Sequence, residues 1–159
     1  MAKAVVETTD RRIYGTFGWA QVGLIGGILG AVWYGLSLLI GNYIVDPLIC
    51  RGDALEACAQ SGALAVNIAG VVVAIIGATL LIRMHIHRAM GVALAGLIAF
   101  WNLQILTEGL PWFESMAWFI LINALGYLLF TNLFRIRRIY IAVIMVAIAI
   151  LLVRWVAFL

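Results

Sequence analysis

The sequence predicts an all-α, polytopic integral membrane bundle of about five transmembrane helices. Three observations carry that expectation. Of the 159 residues, 66% are hydrophobic and only 11% charged, against roughly 45–50% and 25% in a soluble domain. The mean hydropathy is +1.15, more apolar surface than a core of this size hides from water, so lipid must solvate most of the chain. The apolar residues also fall into runs of bilayer-crossing length, separated by short loops whose charges differ systematically.

A helix crossing a hydrocarbon core of about 30 Å needs roughly 20 residues at 1.5 Å each. The opening "MAKAVVETTDRRIYG" is polar and lacks the charged, apolar and cleavage regions of a secretory signal. The first apolar segment, about 17–40, therefore reads as a true span, interrupted only by Gln21 and Ser37. A second span, 63–82, contains Asn67; a third, 89–106, is short and carries Asn102 and Gln104 near its end. Pro111 restarts the chain in the manner of a proline in a helix's first turn, opening a fourth span over 112–134. The fifth, 139–159, is apolar except for Arg154. With no linker, low-complexity tract or internal repeat, the whole chain 1–159 reads as a single transmembrane domain.

The basic residues orient these spans. Lys3, Arg11 and Arg12 precede the first, Arg83 and Arg88 separate the second and third, and Arg135, Arg137 and Arg138 separate the fourth and fifth. The alternate loops hold Asp46, Asp53, Glu56, Glu108 and Glu114 with Arg51 as their one arginine. Short loops rich in Lys and Arg stay in the cytoplasm. The pattern predicts a cytoplasmic N-terminus, an extracytoplasmic C-terminus and an extracytoplasmic loop at 45–62, in a multi-pass protein of a prokaryotic inner or plasma membrane. The net charge of +3 is too small to indicate nucleic acid; the lipid bilayer is the expected partner.

That outer loop holds both cysteines, Cys50 and Cys58. Asp53 and Glu56 have capping-box spacing, which predicts a short surface helix from Ala54 to about Gln60. The C-x7-C spacing is not the C-x-x-C of thioredoxin-like redox sites, and two thiols without an outer histidine make a poor zinc site. On the oxidising side of the membrane, a structural disulfide between Cys50 and Cys58 is the expectation. His85 and His87, two apart in "RMHIHR", do not share a helix face and read as part of a solvated basic loop. No metal and no cofactor are expected.

Given the topology, Asn42, Asn67, Gln104, Glu108, Glu114 and Arg154 all fall in or near the outer half of the membrane. Arg154 is expected either to snorkel to the headgroups or to pair with Glu108 or Glu114 at a small outward pocket. Asn67, Gln104, Glu108, Glu114 and Arg154 form the candidate polar site; Gln104 and Glu108, four apart, share a helix face. Trp33, Trp101, Trp112, Trp118 and Trp155 lie at similar depth, with Trp19 alone at the inner interface. Most read as belt residues, and Trp33, Trp101 and Trp118 are the candidates for lining a ligand. Asn123, near mid-span, is expected to hydrogen-bond between helices. Small residues recur at four-residue spacing: Gly23 and Gly27, Gly26 and Gly30, Gly70 with Ala74 and Ala78, Gly91 and Ala95. Such faces let helix backbones approach closely, within the chain or against other membrane subunits or a second copy.

Chemistry is sparse. The sequence holds no Ser-His-Asp set, no H-E-x-x-H, no paired mid-membrane acids and no phosphate-cradling glycine loop, and its only lysine is Lys3. The leading expectation is a non-enzymatic accessory, scaffold or assembly subunit of a membrane complex. The alternatives are a small transporter or channel with an outward polar and aromatic entrance, and a binding protein or enzyme for a lipid or other hydrophobic ligand.

Overall fold

The computed structural model describes residues 2–50, 60–84, 86, 88–101, 103–107, 109–136 and 138–157, with side chains from 18 onward except at 139, 156 and 157. Helix α1, Ala2–Ile40, passes into a π-helical turn, Gly41–Val45, and then into a short α2, Asp46–Ile49. Next come α3 (Ser61–Arg83), α4 (Ala89–Ala99), α5 (Gln104–Thr107), α6 (Trp112–Phe134) and α7 (Ile139–Ala157). No strand occurs among the described residues. The protein is an all-α membrane bundle. Gly18–Ile49, Ser61–Arg83 and Trp112–Phe134 are long and apolar enough to cross a bilayer, and Ala89–Ala99 and Tyr140–Trp155 are shorter apolar helices.

Two expected boundaries change. The first span does not stop at residue 40 but continues helically to Ile49. The expected third span, 89–106, is broken. The 11 residues of α4 rise only about 16 Å, and the chain then tightens into turns. The Phe100 amide bonds the Gly96 carbonyl, Leu103 bonds Phe100 and Leu106 bonds Leu103. The surface helix expected over Ala54–Gln60 falls outside the described residues apart from Gln60, which caps α3.

The helices close a ring. α1 packs on α6 and α3, α3 on α4, and α4 on α6, while α7 rests outside against α4 and α6. The outer surface is apolar: Leu24, Ile75 and Leu151 are 65%, 64% and 67% exposed. In water that surface would drive aggregation; in lipid it is the correct solvent face.

Lipid supplies no hydrophobic drive between helices, so close packing must hold them together. The tightest approach is α1 on α6. A methyl group at Gly26 would lie 2.9 Å from the Asn123 carbonyl oxygen and 3.0 Å from the Ala124 Cα. One at Gly30 would overlap the Phe119 carbonyl oxygen and sit 2.9 Å from the Ile120 Cα. Aromatic rings fill four other glycine hollows. Trp33 of α1 lies over Gly70 of α3, Tyr127 of α6 reaches Gly77 of α3, Phe134 of α6 covers Gly91 of α4, and Phe100 covers Gly126 of α6.

Asn123 departs from expectation. It is 1% exposed, but its Nδ2 donates to the Phe119 carbonyl of its own helix at 2.9 Å. Gly26 brings α1 backbone against this turn, and the amide folds back one turn instead of reaching across. At the arginine-rich end, Arg88 adopts a left-handed conformation (φ 61°) at the start of α4. Its guanidinium donates to the Ile136 carbonyl at 3.2 Å, tying the α3–α4 turn to the α6–α7 turn.

Glycine substitutions along α1 test this contact. Gly30→Leu should destabilise the bundle at or above the upper end of the roughly 1–3 kcal/mol typical of overpacking, because its obstacle is backbone. At Gly35 nothing lies within 4 Å of the place a methyl group would take, and the sign should reverse: Gly35→Ala should stabilise by roughly 0.5–1 kcal/mol. Thermal unfolding in one detergent measures both; equal effects would remove the contact from its central role.

Candidate functional site

Two cavities divide residues that the sequence places in one polar layer, and a third lies elsewhere. The first lies at the acidic end of the ring, where α1 gives way to the π-helical turn. There the Asp46 amide bonds the Gly41 carbonyl five residues back, and π-helical turns are frequent at functional sites. The cavity has a volume of about 270 Å³ and is lined by Ser37, Asn42, Asp46, Ser61, Gln104, Thr107 and Ser115. Tyr34, Val66 and Phe119 line it too, each at least one turn further from the acidic end on its own helix. Ser37, Ser61 and Ser115 are buried at 6%, 8% and 6% exposure.

Local hydrogen bonds hold this wall. Ser37 Oγ donates to the Tyr34 carbonyl at 2.7 Å, and Thr107 Oγ1 donates to the Gln104 carbonyl at 3.1 Å. Ser115 Oγ donates to the Thr107 carbonyl at 3.5 Å, linking α6 to α5. The Gln104 carboxamide packs against Gly62, where a methyl group would lie 2.9 Å from Nε2. Its Oε1 is buried with no hydrogen-bond partner.

The second cavity follows from the early stop of α4. Beyond Ala99 no helix of the ring covers the faces of α6 and α7, and a cleft of about 630 Å³ opens between them. Phe100, Leu106, Ile122, Leu125, Leu129 and Leu152 make it apolar, and Trp101 and Arg154 also line it. The Arg154 Nε is buried without a hydrogen-bond partner. The third cavity, about 680 Å³, lies at the opposite, arginine-rich end, lined by Gln21, Arg83, Asn132 and Arg135. Thr131 lines it as well, and its Oγ1 is buried without a partner.

The predicted site residues are therefore separated. Gln104 belongs to the polar cavity and Arg154 with Trp101 to the apolar cleft. Glu114 is exposed in the first turn of α6, and no ion pair joins it to Arg154 among the described residues. Asn67, half-buried on α3, has an interaction of its own. Trp33 lines none of these three cavities. It is 3% exposed, donates its indole N–H to the Val66 carbonyl at 2.8 Å and meets Phe119 edge-on at 6.0 Å. Trp118 is 47% exposed, as a belt residue should be. Cys50 follows α2 and carries no free thiol. Cys58, Glu108, His85 and His87 lie outside the described residues, among which no cluster of three His, Cys, Asp or Glu could hold a metal ion.

Sequence reasoning missed Tyr34, Ser37, Asp46, Ser61, Thr107 and Ser115 as one group. The signal was available: each small hydroxyl falls within a turn or two of the same end of its helix, and hydroxyls there can converge. No protein-family model matches the chain, and no curated protein and no solved structure shows significant similarity to it.

Proposed function

We propose that this is a multi-pass membrane protein that binds a lipid-like amphiphile, an acyl chain with an anionic head, in the cleft beside α4, α6 and α7. One observation carries the reading: an apolar cleft of about 630 Å³ that holds a single guanidinium whose Nε is buried and unbonded. The volume suits a small hydrophobic ligand. An ionisable side chain within a span is costly unless it finds a partner, and a guanidinium is built to grip a carboxylate or phosphate through two parallel hydrogen bonds. Trp101, 40% exposed at the edge of the cleft, adds a flat amphipathic wall.

The rival readings draw less support. Scaffolding rested on the small-residue faces, but Gly26, Gly30, Gly70 and Gly91 are covered by neighbouring helices of the same chain. A conduit would need an open axis, and Leu29, Trp33, Phe119, Tyr127 and Phe130, each under 5% exposed, fill the interior.

The same reading places the protein in a cell membrane with five crossings, the fourth by the long α6 and the third by the broken α4–α5 segment. Arg83, Arg88, Arg135 and Arg138 then face the cytoplasm, and Asp46 and Glu114 face outward. The N-terminus is inside and the C-terminus outside. A Cys50–Cys58 disulfide closes the outer loop; the missing free thiol at Cys50 and the oxidising side of the membrane both favour it. A loop this short would gain roughly 2–3 kcal/mol from closure.

Displacement of a fluorescent fatty acid from the purified protein in maltoside micelles tests the ligand site. Arg154→Gln should weaken binding about tenfold or more, from the loss of a charged hydrogen bond of roughly 1.5–3 kcal/mol. Leu129→Trp should block the cleft, and Trp118→Ala should leave affinity unchanged. Equal affinity in the wild type and Arg154→Gln would reject the reading. Labelling of intact cells with a membrane-impermeant maleimide tests the topology. The wild type should label only after reduction, and Cys58→Ser should expose Cys50 to label without reductant. Labelling that requires permeabilised cells would reverse the orientation.

A further inference from the structure

We propose that the polar cavity at the acidic end of the ring binds a small organic ammonium ion. It is separate from the amphiphile cleft, and neither assignment depends on the other. Its chemistry is acceptor-rich. The Asp46 carboxylate lines it, and the Gln104 Oε1 is a buried acceptor with no donor. Buried hydroxyls of Ser37 and Ser115 complete the polar wall. Among the described residues, Asp46 is the one charged side chain that lines it.

The deeper lining selects among cations. Tyr34 and Phe119 both line the cavity, with ring centroids 5.5 Å apart, and aromatic faces attract organic cations. The volume of about 270 Å³ is several times that of a water molecule, about 30 Å³ in the liquid. A bare alkali ion would leave most of it unfilled. An alkylammonium places its charged head among the carboxylate and the Gln104 oxygen and its carbon tail against the rings. The long-range field favours the same sign, because Glu114 as well as Asp46 lies in the first turn of its helix at this end.

Burying Gln104 Oε1 unpaired is costly, because a buried polar group ordinarily has a hydrogen-bond partner. An ammonium N–H supplies the missing donor. The π-helical turn fits the role, since it delivers Asn42 and Asp46 to the cavity at the end of an otherwise regular helix.

Titration calorimetry of the full chain in lipid nanodiscs with n-butylammonium chloride, at constant ionic strength, tests the assignment. The wild type should bind saturably below 10 mM, and Asp46→Asn should weaken binding at least tenfold. Gln104→Met, which keeps the side-chain bulk without the amide oxygen, should weaken it about threefold or more. It serves as the second reading should Asp46→Asn fail to fold. Arg154→Gln should bind as the wild type does, which separates this site from the cleft. Absence of saturable binding, undiminished affinity in both cavity variants, or sodium chloride competing at equal concentration would each overturn the proposal.

Discussion

The contact of Gly26 and Gly30 with the backbone of α6 is the constraint on which the rest of the bundle depends. Lipid surrounds the helices with material as apolar as their own side chains, so only closer packing than lipid can offer distinguishes the folded arrangement. Two missing side chains let α1 touch the Phe119–Ala124 backbone directly. That approach fixes the height of α1 against α6, and the height decides which residues meet α3. Trp33, almost one turn beyond Gly30, then lies over Gly70 and bonds the Val66 carbonyl. Tyr127, one turn beyond Asn123, reaches Gly77 on the same helix. α3 is thus held from two sides by rings whose positions the α1–α6 contact has set.

The same economy of side chains explains why the bundle is not closed all round. α4 must lie close to α6, and Phe134 over Gly91 and Phe100 over Gly126 hold its two ends. Phe100 is also the residue at which α4 stops. The ring that anchors the helix sits where its backbone leaves regular winding, and the faces of α6 and α7 beyond that point have no cover. The apolar cleft is a consequence of how α4 is anchored, which is why many of its walls are lipid-facing side chains such as Leu125, Leu129 and Leu152, and the one charge among its described residues, Arg154, comes from the peripheral α7.

How much of this was legible in the sequence follows from the kind of signal each feature leaves. Apolar runs of spanning length mark α3 and α6 within two residues of their observed ends, because lipid imposes length directly. The glycine spacing of α1 likewise announces a close approach, though not its partner. The break in the third span leaves no such mark: 89–106 is uniformly apolar until Asn102, and the chain turns there because of a ring-on-glycine contact with a helix more than twenty residues away. The polar site was half legible. Expected membrane depth grouped Gln104 and Arg154 in one layer, and Gln104 does lie with Asp46 at one cavity. Depth cannot say around which side of the ring a residue faces, and that angle separates the two into different cavities. Trp33 failed for the related reason that an interfacial tryptophan and a core tryptophan differ only in azimuth.

The distribution of unsatisfied groups gives the separation its meaning. Other buried polar groups find partners in the chain: Ser37 bonds Tyr34, Asn123 bonds Phe119, Ser115 bonds Thr107 and Trp33 bonds Val66. Among the described residues, the buried side-chain atoms left without a hydrogen bond are Gln104 Oε1, Thr131 Oγ1 and Arg154 Nε. Each belongs to a residue lining a different one of the three cavities. Their coincidence with open volume has a physical reason: in hydrocarbon an unpaired group costs several kcal/mol, and it persists at least cost where a water or a ligand can reach it. Ser37 and Ser115 bond backbone carbonyls even though they line a cavity, so the three atoms left without a partner mark where a water or a ligand has room to complete the bonding.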